Sequence, residues 1–184
     1  MELAVQLMVA VILLPLCGAV VTGIWSQCLS EKAAHTTTIV CMLGACALAW
    51  IVGFEFLFNG HKAIDVDLYT WALEGIAKFA IGLLLDSLSV IMALCVTTIS
   101  LLVHIYSIGY MRGDSGYSRF FSHVSLFTFT MLALVLANNG LQLFFGWEGV
   151  GLVSYLLIGF WFKKPSASRG ALKAFLVNRV GDFG

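Results

Sequence analysis

The chain reads as an all-α, polytopic transmembrane helix bundle with five full spans, the start of a sixth, and a short β-hairpin-like external loop. Three observations predict this. Mean hydropathy is +0.97, with 60% apolar and only 11% charged residues, whereas a soluble domain sits near half apolar and about a quarter charged. Five apolar runs are each long enough to cross a bilayer, for which roughly 20 helical residues suffice. Lysine and arginine fall unevenly between alternate loops, as they do in membrane proteins.

The elements follow in order. The first run spans Leu3 to Trp25, and Pro15 inside it is expected to kink rather than end the helix. No basic residue precedes this run and no A-x-A cleavage pattern follows, so it is a first span rather than a signal peptide. The second spans Ala33 to Phe58, the third Ile81 to about Tyr110, the fourth about Phe120 to Ala137, and the fifth Leu141 to Phe162. Asn138-Asn139-Gly140 is a tight polar turn between two of them. The long loop from Asn59 to Ala80 holds His61, Lys62, Asp65, Asp67, Glu74 and Lys78. Its Ala63-to-Leu73 stretch alternates as a strand or hairpin does, and Glu74 to Phe79 can belong to the same hairpin. A sixth helix begins near Ala171 and is expected to be cut at Asp182-Phe183-Gly184, with no closing signal. Residues 1–184 form a single membrane domain on this reading, the N-terminal fragment of a longer protein.

Seven basic residues (Lys32, Arg112, Arg119, Lys163, Lys164, Arg169 and Lys173) lie in one set of loops, against Lys62 and Lys78 in the other. The positive-inside rule then puts the N-terminus outside and the Lys163–Lys173 loop in the cytoplasm or matrix. Formal net charge is zero, and no basic stripe marks a nucleic-acid surface. The cysteines (17, 28, 41, 46 and 95) include no C-x-x-C pair and read as small hydrophobes between helices. No nucleophile arrangement, flavin or iron–sulfur motif, or metal-ligand cluster is visible. The G-x-x-G-x-G spacing at 146–151 is no nucleotide loop, because no strand precedes it.

Glu148 stands out. It is one carboxylate near the middle of an apolar run, where an unpartnered charge costs a few kcal/mol or more. Desolvation favours a neutral acid and a nearby cation favours a carboxylate; a group balanced between them can load and release a proton. The alternative is a carboxylate that only anchors helix packing. Gly146, Gly149 and Gly151 let another helix or water come close. Arg179 and Asp182 are three apart on the sixth helix, close enough to pair, either structurally or within a charged relay. Lys173 can snorkel to the cytoplasmic face. Asp86, a few residues inside the third run, is a relay or an interfacial cap. His104 lies five helical turns further on the same face, as a proton relay or a packing residue. Glu55, near the end of the second run, reads as interfacial, and Trp147, Trp161, Tyr110 and Tyr155 as interface or packing aromatics.

Gly146-Trp147-Glu148-Gly149-Val150-Gly151-Leu152-Val153-Ser154-Tyr155, with Lys173-Ala174-Phe175-Leu176-Val177-Asn178-Arg179-Val180-Gly181-Asp182, resembles the antiporter-like L-subunit family of respiratory NADH:quinone oxidoreductase, complex I. Leu85-Asp86-Ser87-Leu88-Ser89 and Tyr106-Ser107-Ile108-Gly109-Tyr110-Met111 fit the same family. The resemblance runs through nearly all of residues 80–184 and more loosely through 1–79. It implies a proton-translocating subunit of the bacterial inner or mitochondrial inner membrane, partnered by other membrane subunits of complex I and by the lipid bilayer. It implies no cofactor in this chain, because NADH, FMN, iron–sulfur clusters and quinone belong to other subunits. Neither catalysis nor ion exchange is expected of the isolated chain. By motif position, Glu148 is the family's fifth-helix glutamate, whose lysine partner on the seventh helix would lie past Gly184. Arg179 and Asp182 match charged sixth-helix positions of the same relay. Two alternatives remain at this stage: a subunit of a multi-subunit sodium/proton antiporter, and a truncated, non-transporting assembly module.

Overall fold

A computed structural model of the protein describes residues 2–26, 28–58, 62–74 and 77–182. Within them the order is α1 (Glu2–Ile24), α2 (Glu31–Phe58), β1 (Ile64–Glu74), β2 (Ala77–Leu85), α3 (Ser87–Tyr110), α4 (Tyr117–Val135), α5 (Gly140–Ile158) and α6 (Pro165–Asp182). Among the described residues, the first five helices are long and apolar enough to cross a membrane. Asn59–His61, Gly75–Ile76 and Phe183–Gly184, which the sequence reading places in the long loop, its hairpin and the end of the sixth helix, lie outside the described residues.

Helix α4 is the hub. It packs against α1, α2, α3 and α5, while α6 packs on α5. Without a hydrophobic driving force between helices in lipid, small residues and hydroxyls supply the adhesion, and α4 is built for that. Ser118, Ser122, Ser125, Thr128 and Thr130 are all buried on it. Ser122 donates to the Ala19 carbonyl of α1 at 2.7 Å. Thr128 meets Ser100 of α3 at 2.5 Å, and Ser125 meets His104 Nε2 at 2.9 Å. The apolar core fills the end near the hairpin, where Met8, Val52, Leu83, Leu85, Val90 and Leu132 are buried together. A smaller cluster of Met111, Tyr117, Phe121 and Phe160 closes the other end.

Helix α5 ends at Ile158 rather than Phe162, and two further boundaries differ more from the sequence reading. The apolar run assigned to the third span from Ile81 begins as strand. β2 runs to Leu85 and pairs antiparallel with β1, Ile64 opposite Leu85. A continuous apolar run cannot be told from the start of a helix by hydropathy alone, and here the strand is fixed by partners far away in sequence. Leu84 N–H donates to the Leu136 carbonyl at 3.0 Å, and Gly82 exchanges bonds with the Gln142 side chain at 2.8 and 3.0 Å. Asn138 donates to both Asp65 and Asp67 at 2.9 Å, which clamps the hairpin onto the α4–α5 turn. The second difference is α6, which starts at Pro165 rather than near Ala171. Proline suits a first helical turn, where its missing N–H has no partner to lose, and the polar residues after it hide the start from a hydropathy reading. By contrast α1 continues through Pro15, as expected.

Helices α4 and α5 approach closely at two glycines of α5. A Cβ added to Gly146 would lie 2.7 Å from Leu134 Cα, and one on Gly149 would lie 2.9 Å from Thr130 Cγ2. Backbone cannot move aside as a side-chain tip can, so Gly146→Ala forces the helices apart at a cost of about 1–3 kcal/mol. Gly181, where an added Cβ meets nothing within 4 Å, is the control. Thermal unfolding in detergent should fall for Gly146→Ala and hold or rise slightly for Gly181→Ala. Equal melting temperatures for the two variants would show that the close approach at Gly146 carries no stability.

Candidate proton-relay site

Glu148 sits in the middle of α5 on the side facing α6. There its carboxylate is paired with Arg179 Nη1. The same Nη1 is 3.9 Å from Asp182 Oδ2, one turn further along α6. Trp147 Nε1 donates to the other Asp182 oxygen at 2.7 Å. Arg179 also lies over the Phe175 ring, 4.7 Å from its centroid. Glu148 and Asp182 are largely shielded, at 18% and 13% side-chain exposure. These five residues border a cleft of about 250 Å³ between α4, α5 and α6, with Ser154 and Asn178 on its wall.

The sequence spacing anticipated the Arg179–Asp182 contact. It did not anticipate that Glu148 shares the guanidinium, because residues so far apart in sequence meet only through helix packing. Nor did it give Trp147 a role beyond packing, although its neighbour in sequence was the leading candidate. Two carboxylates around one guanidinium leave an excess of one negative charge when both acids are ionised. One proton, or one further cation, neutralises the cluster. Arginine keeps its charge under all ordinary conditions, so Arg179 can redistribute between the acids but cannot itself carry the proton.

Comparison with known proteins gives the family of the chain. Residues 71–121 match the family described as "NADH-Ubiquinone oxidoreductase (complex I), chain 5 N-terminus", and residues 137–184 match "NADH:quinone oxidoreductase/Mrp antiporter, TM". The NADH-quinone oxidoreductase subunit L of Neisseria meningitidis serogroup A is 50% identical over 173 residues, covering 94% of this chain. The chain belongs to the complex I subunit L/chain 5 family. The NADH-ubiquinone oxidoreductase chain 5 of Dictyostelium citrinum is 44% identical over 173 residues, again 94% of the chain. The chain spans about a quarter of the length of these relatives, 26% in both cases. Among solved structures, an archaeal respiratory membrane complex, the membrane-bound sulfane sulfur reductase, has the same fold, with TM-score 0.80 over 96% of this chain and 35% of that one at 16% identity. As a complex I-family subunit with five apolar helices of spanning length, the chain is a multi-pass membrane protein.

The other sequence candidates do not join the Glu148 cleft. Asp86 is not inside α3 but caps it, accepting from Ser89 N–H at 2.7 Å while Ser89 Oγ accepts from Asp86 N–H at 2.9 Å, a reciprocal capping box. His104 is fully buried, and both ring nitrogens are taken, Nδ1 by the Ser100 carbonyl at 2.8 Å and Nε2 by Ser125 Oγ. It ties α3 to α4. Lys173 is exposed near the middle of α6. A further carboxylate with several partners went unremarked in the sequence. Asp114, in the α3–α4 loop, accepts from Gly116 N–H at 2.7 Å and from Trp161 Nε1 at 3.1 Å, which joins two of the basic loops.

The cap yields a pH test. The Ser89 N–H, then the Ser89 hydroxyl, hold the Asp86 carboxyl below the ordinary aspartate range, which lies near 4. A group depressed in the folded state adds stability that is complete above its unfolded value and lost as pH falls through the folded one. Asp86→Asn retains an acceptor without a titrating charge. Wild type should therefore lose more stability between about pH 5 and pH 2 than Asp86→Asn does, as read from melting temperatures. Parallel acid profiles would show that the cap charge contributes nothing.

Proposed function

We propose that the protein is a proton-translocating membrane subunit of complex I, and that Glu148 is a proton-carrying residue of a half-channel in it. The single observation that carries this reading is a spanning-helix carboxylate sharing one arginine with a second carboxylate. Such a cluster has one acid more than base, and in low dielectric that imbalance makes proton occupancy depend strongly on any charge nearby. When Arg179 lies against Glu148, the ionised form is favoured there. When the guanidinium swings toward Asp182, or another cation departs, Glu148 is favoured to take a proton. Trp147 keeps a bond on Asp182 in either state and so holds the second carboxylate in place to receive the arginine. This chain supplies no redox step on this reading. Electron transfer from NADH to quinone belongs to partner subunits, and what reaches this one is a change in charge or shape at the membrane.

Glu148→Gln keeps shape and hydrogen bonding but cannot gain or lose the proton. In vesicles carrying the assembled complex with the complete subunit, assembly should survive and NADH-driven proton uptake should drop by roughly tenfold or more. Glu148→Asp, one methylene shorter, should retain part of the activity. Arg179→Ala and Asp182→Ala act partly through stability, since a charge left without its buried partner costs about 3–5 kcal/mol. Wild-type pumping by Glu148→Gln would leave Glu148 as a packing residue.

The orientation belongs to the same reading. The α3–α4 loop with Arg112, the first turn of α4 with Arg119, and the α5–α6 loop with Lys163 and Lys164 lie at one end of the bundle, and the hairpin docks at the other. We place the basic end on the cytoplasmic or matrix side and the N-terminus on the periplasmic or intermembrane side. Reporter fusions after Lys164 and after Lys62 should give opposite topologies, and the same side for both would reject the assignment.

A further inference from the structure

The α4–α5–α6 seam holds a second cleft, in line with the first. Its volume is about 340 Å³, and Arg119, His123, Tyr155 and Ser168 line it. Neighbouring residues of α5 border the two clefts, Ser154 the Glu148 cleft and Tyr155 the other. Between them the Tyr155 and Phe175 rings touch, with centroids 5.5 Å apart. The second cleft lies toward the basic end. Arg119 is fixed there by its bond to the Phe160 carbonyl at 3.2 Å and by stacking on Phe160 and Phe162, and Ser168 donates to the Phe162 carbonyl at 3.0 Å.

His123 is the odd group in this wall. Its Nδ1 is buried and has no hydrogen-bond partner among the described residues. A buried polar atom left bare costs about 1–3 kcal/mol, so native proteins seldom leave one without water or a ligand. The cleft has room for several waters and offers them polar partners. Histidine is also the side chain whose ordinary proton affinity suits exchange near neutral pH. His104, which bridges α3 and α4, contrasts with it, because both its nitrogens are occupied by fixed partners.

We propose that His123 is the proton-loading residue on the supply side of Glu148. The proposal rests on the reading of Glu148 as a proton carrier. A proton from water at the Arg119 end binds His123 Nδ1, making the imidazolium. It then leaves Nδ1 for water in the seam and ends on the Glu148 carboxylate. Only N–H and O–H bonds form and break, and no electron moves. Tyr155 to Glu148 is seven residues of α5, about 10 Å of helix, so the Tyr155–Phe175 contact is the narrow point that water must pass. The charged or titratable groups lining the cleft with His123 are Arg119 from α4 and Tyr155 from α5; α6 brings Ser168 and no titratable group. Arg119 keeps its positive charge throughout.

The test uses the assembled complex with the complete subunit in vesicles. His123→Gln retains a hydrogen-bonding side chain but does not carry a proton. A collecting residue matters most where protons are scarce. NADH-driven proton uptake by His123→Gln should therefore fall by about tenfold at pH 8 and by clearly less at pH 6, with assembly intact. His123→Asn repeats the measurement where glutamine lowers assembly. Wild-type rates at both pH values, or a loss equal at both, would overturn the proposal, the second outcome assigning His123 to packing. Glu148→Gln in the same assay separates the two readings. If it too pumps normally, the relay itself fails; if it is inactive while His123→Gln is normal, only the supply route fails.

Discussion

A carboxylate in the middle of a membrane-spanning helix is the constraint on which the rest of this structure turns. Hydrocarbon cannot solvate Glu148, so the protein must bring a cation to it. That cation is Arg179, and reaching it requires α6 to lie against α5 along its length. Arg179 in turn is a second charge needing shelter, and Asp182 and the Phe175 ring provide it. Trp147 completes the group through its bond to Asp182. Each residue is there because the previous one could not be left alone. The result is a cluster held together by electrostatics but unbalanced by one charge when both acids are ionised, which suits the proton-carrying role proposed for Glu148.

The neighbouring helices accommodate this cluster by contributing little bulk and many hydroxyls. Gly146 lets the Leu134 backbone come within van der Waals range, and Gly149 does the same for Thr130. That leaves the other side of α5 free to face α6. Around α4, serines and threonines bind carbonyls and each other, so helix adhesion does not depend on an apolar effect that lipid does not supply. The charged face and the hydroxyl-rich face thus have different tasks on adjacent helices.

How much of this could be read from the residues alone varies by feature. Span count was legible because α1 to α5 are long apolar runs, and hydropathy needs no partner to be recognised. Glu148 was legible for the converse reason, as a charge where charges are costly. The strand at Ile81–Leu85 was not, since a buried strand and a buried helix start are equally apolar, and its pairing with β1 and its bonds to Gln142 and Leu136 decide between them. Asp86 was half legible: a helix starting at Ile81 leaves relay and interfacial cap both open, and with α3 starting at Ser87 the Asp86–Ser89 spacing is a capping box, the second of the two. The shared arginine was half legible. A three-residue spacing suggests Arg179–Asp182, but whether α6 presents Arg179 to α5 depends on packing that periodicity does not encode. His123 carried no sequence signal, because a histidine among Phe, Ser and Val in a helix looks like any packed aromatic until its nitrogen is found without a partner.

The two histidines of the α3–α4 region show how the same side chain is put to opposite uses. His104 has a carbonyl on one nitrogen and a hydroxyl on the other, at 2.8 and 2.9 Å. Protonating it would turn its acceptor into a donor and require Ser125 to rotate, so its bonds resist a change of charge. His123 faces a cleft rather than a fixed partner, and water can reorient to either protonation state at little cost. The distinction lies not in depth or in residue type but in whether the surroundings can follow a proton. The same criterion applies to Glu148, whose arginine has a second carboxylate to move toward. Where a titratable group in this bundle has one immovable set of partners it holds helices together, and where its partners can rearrange it can carry charge.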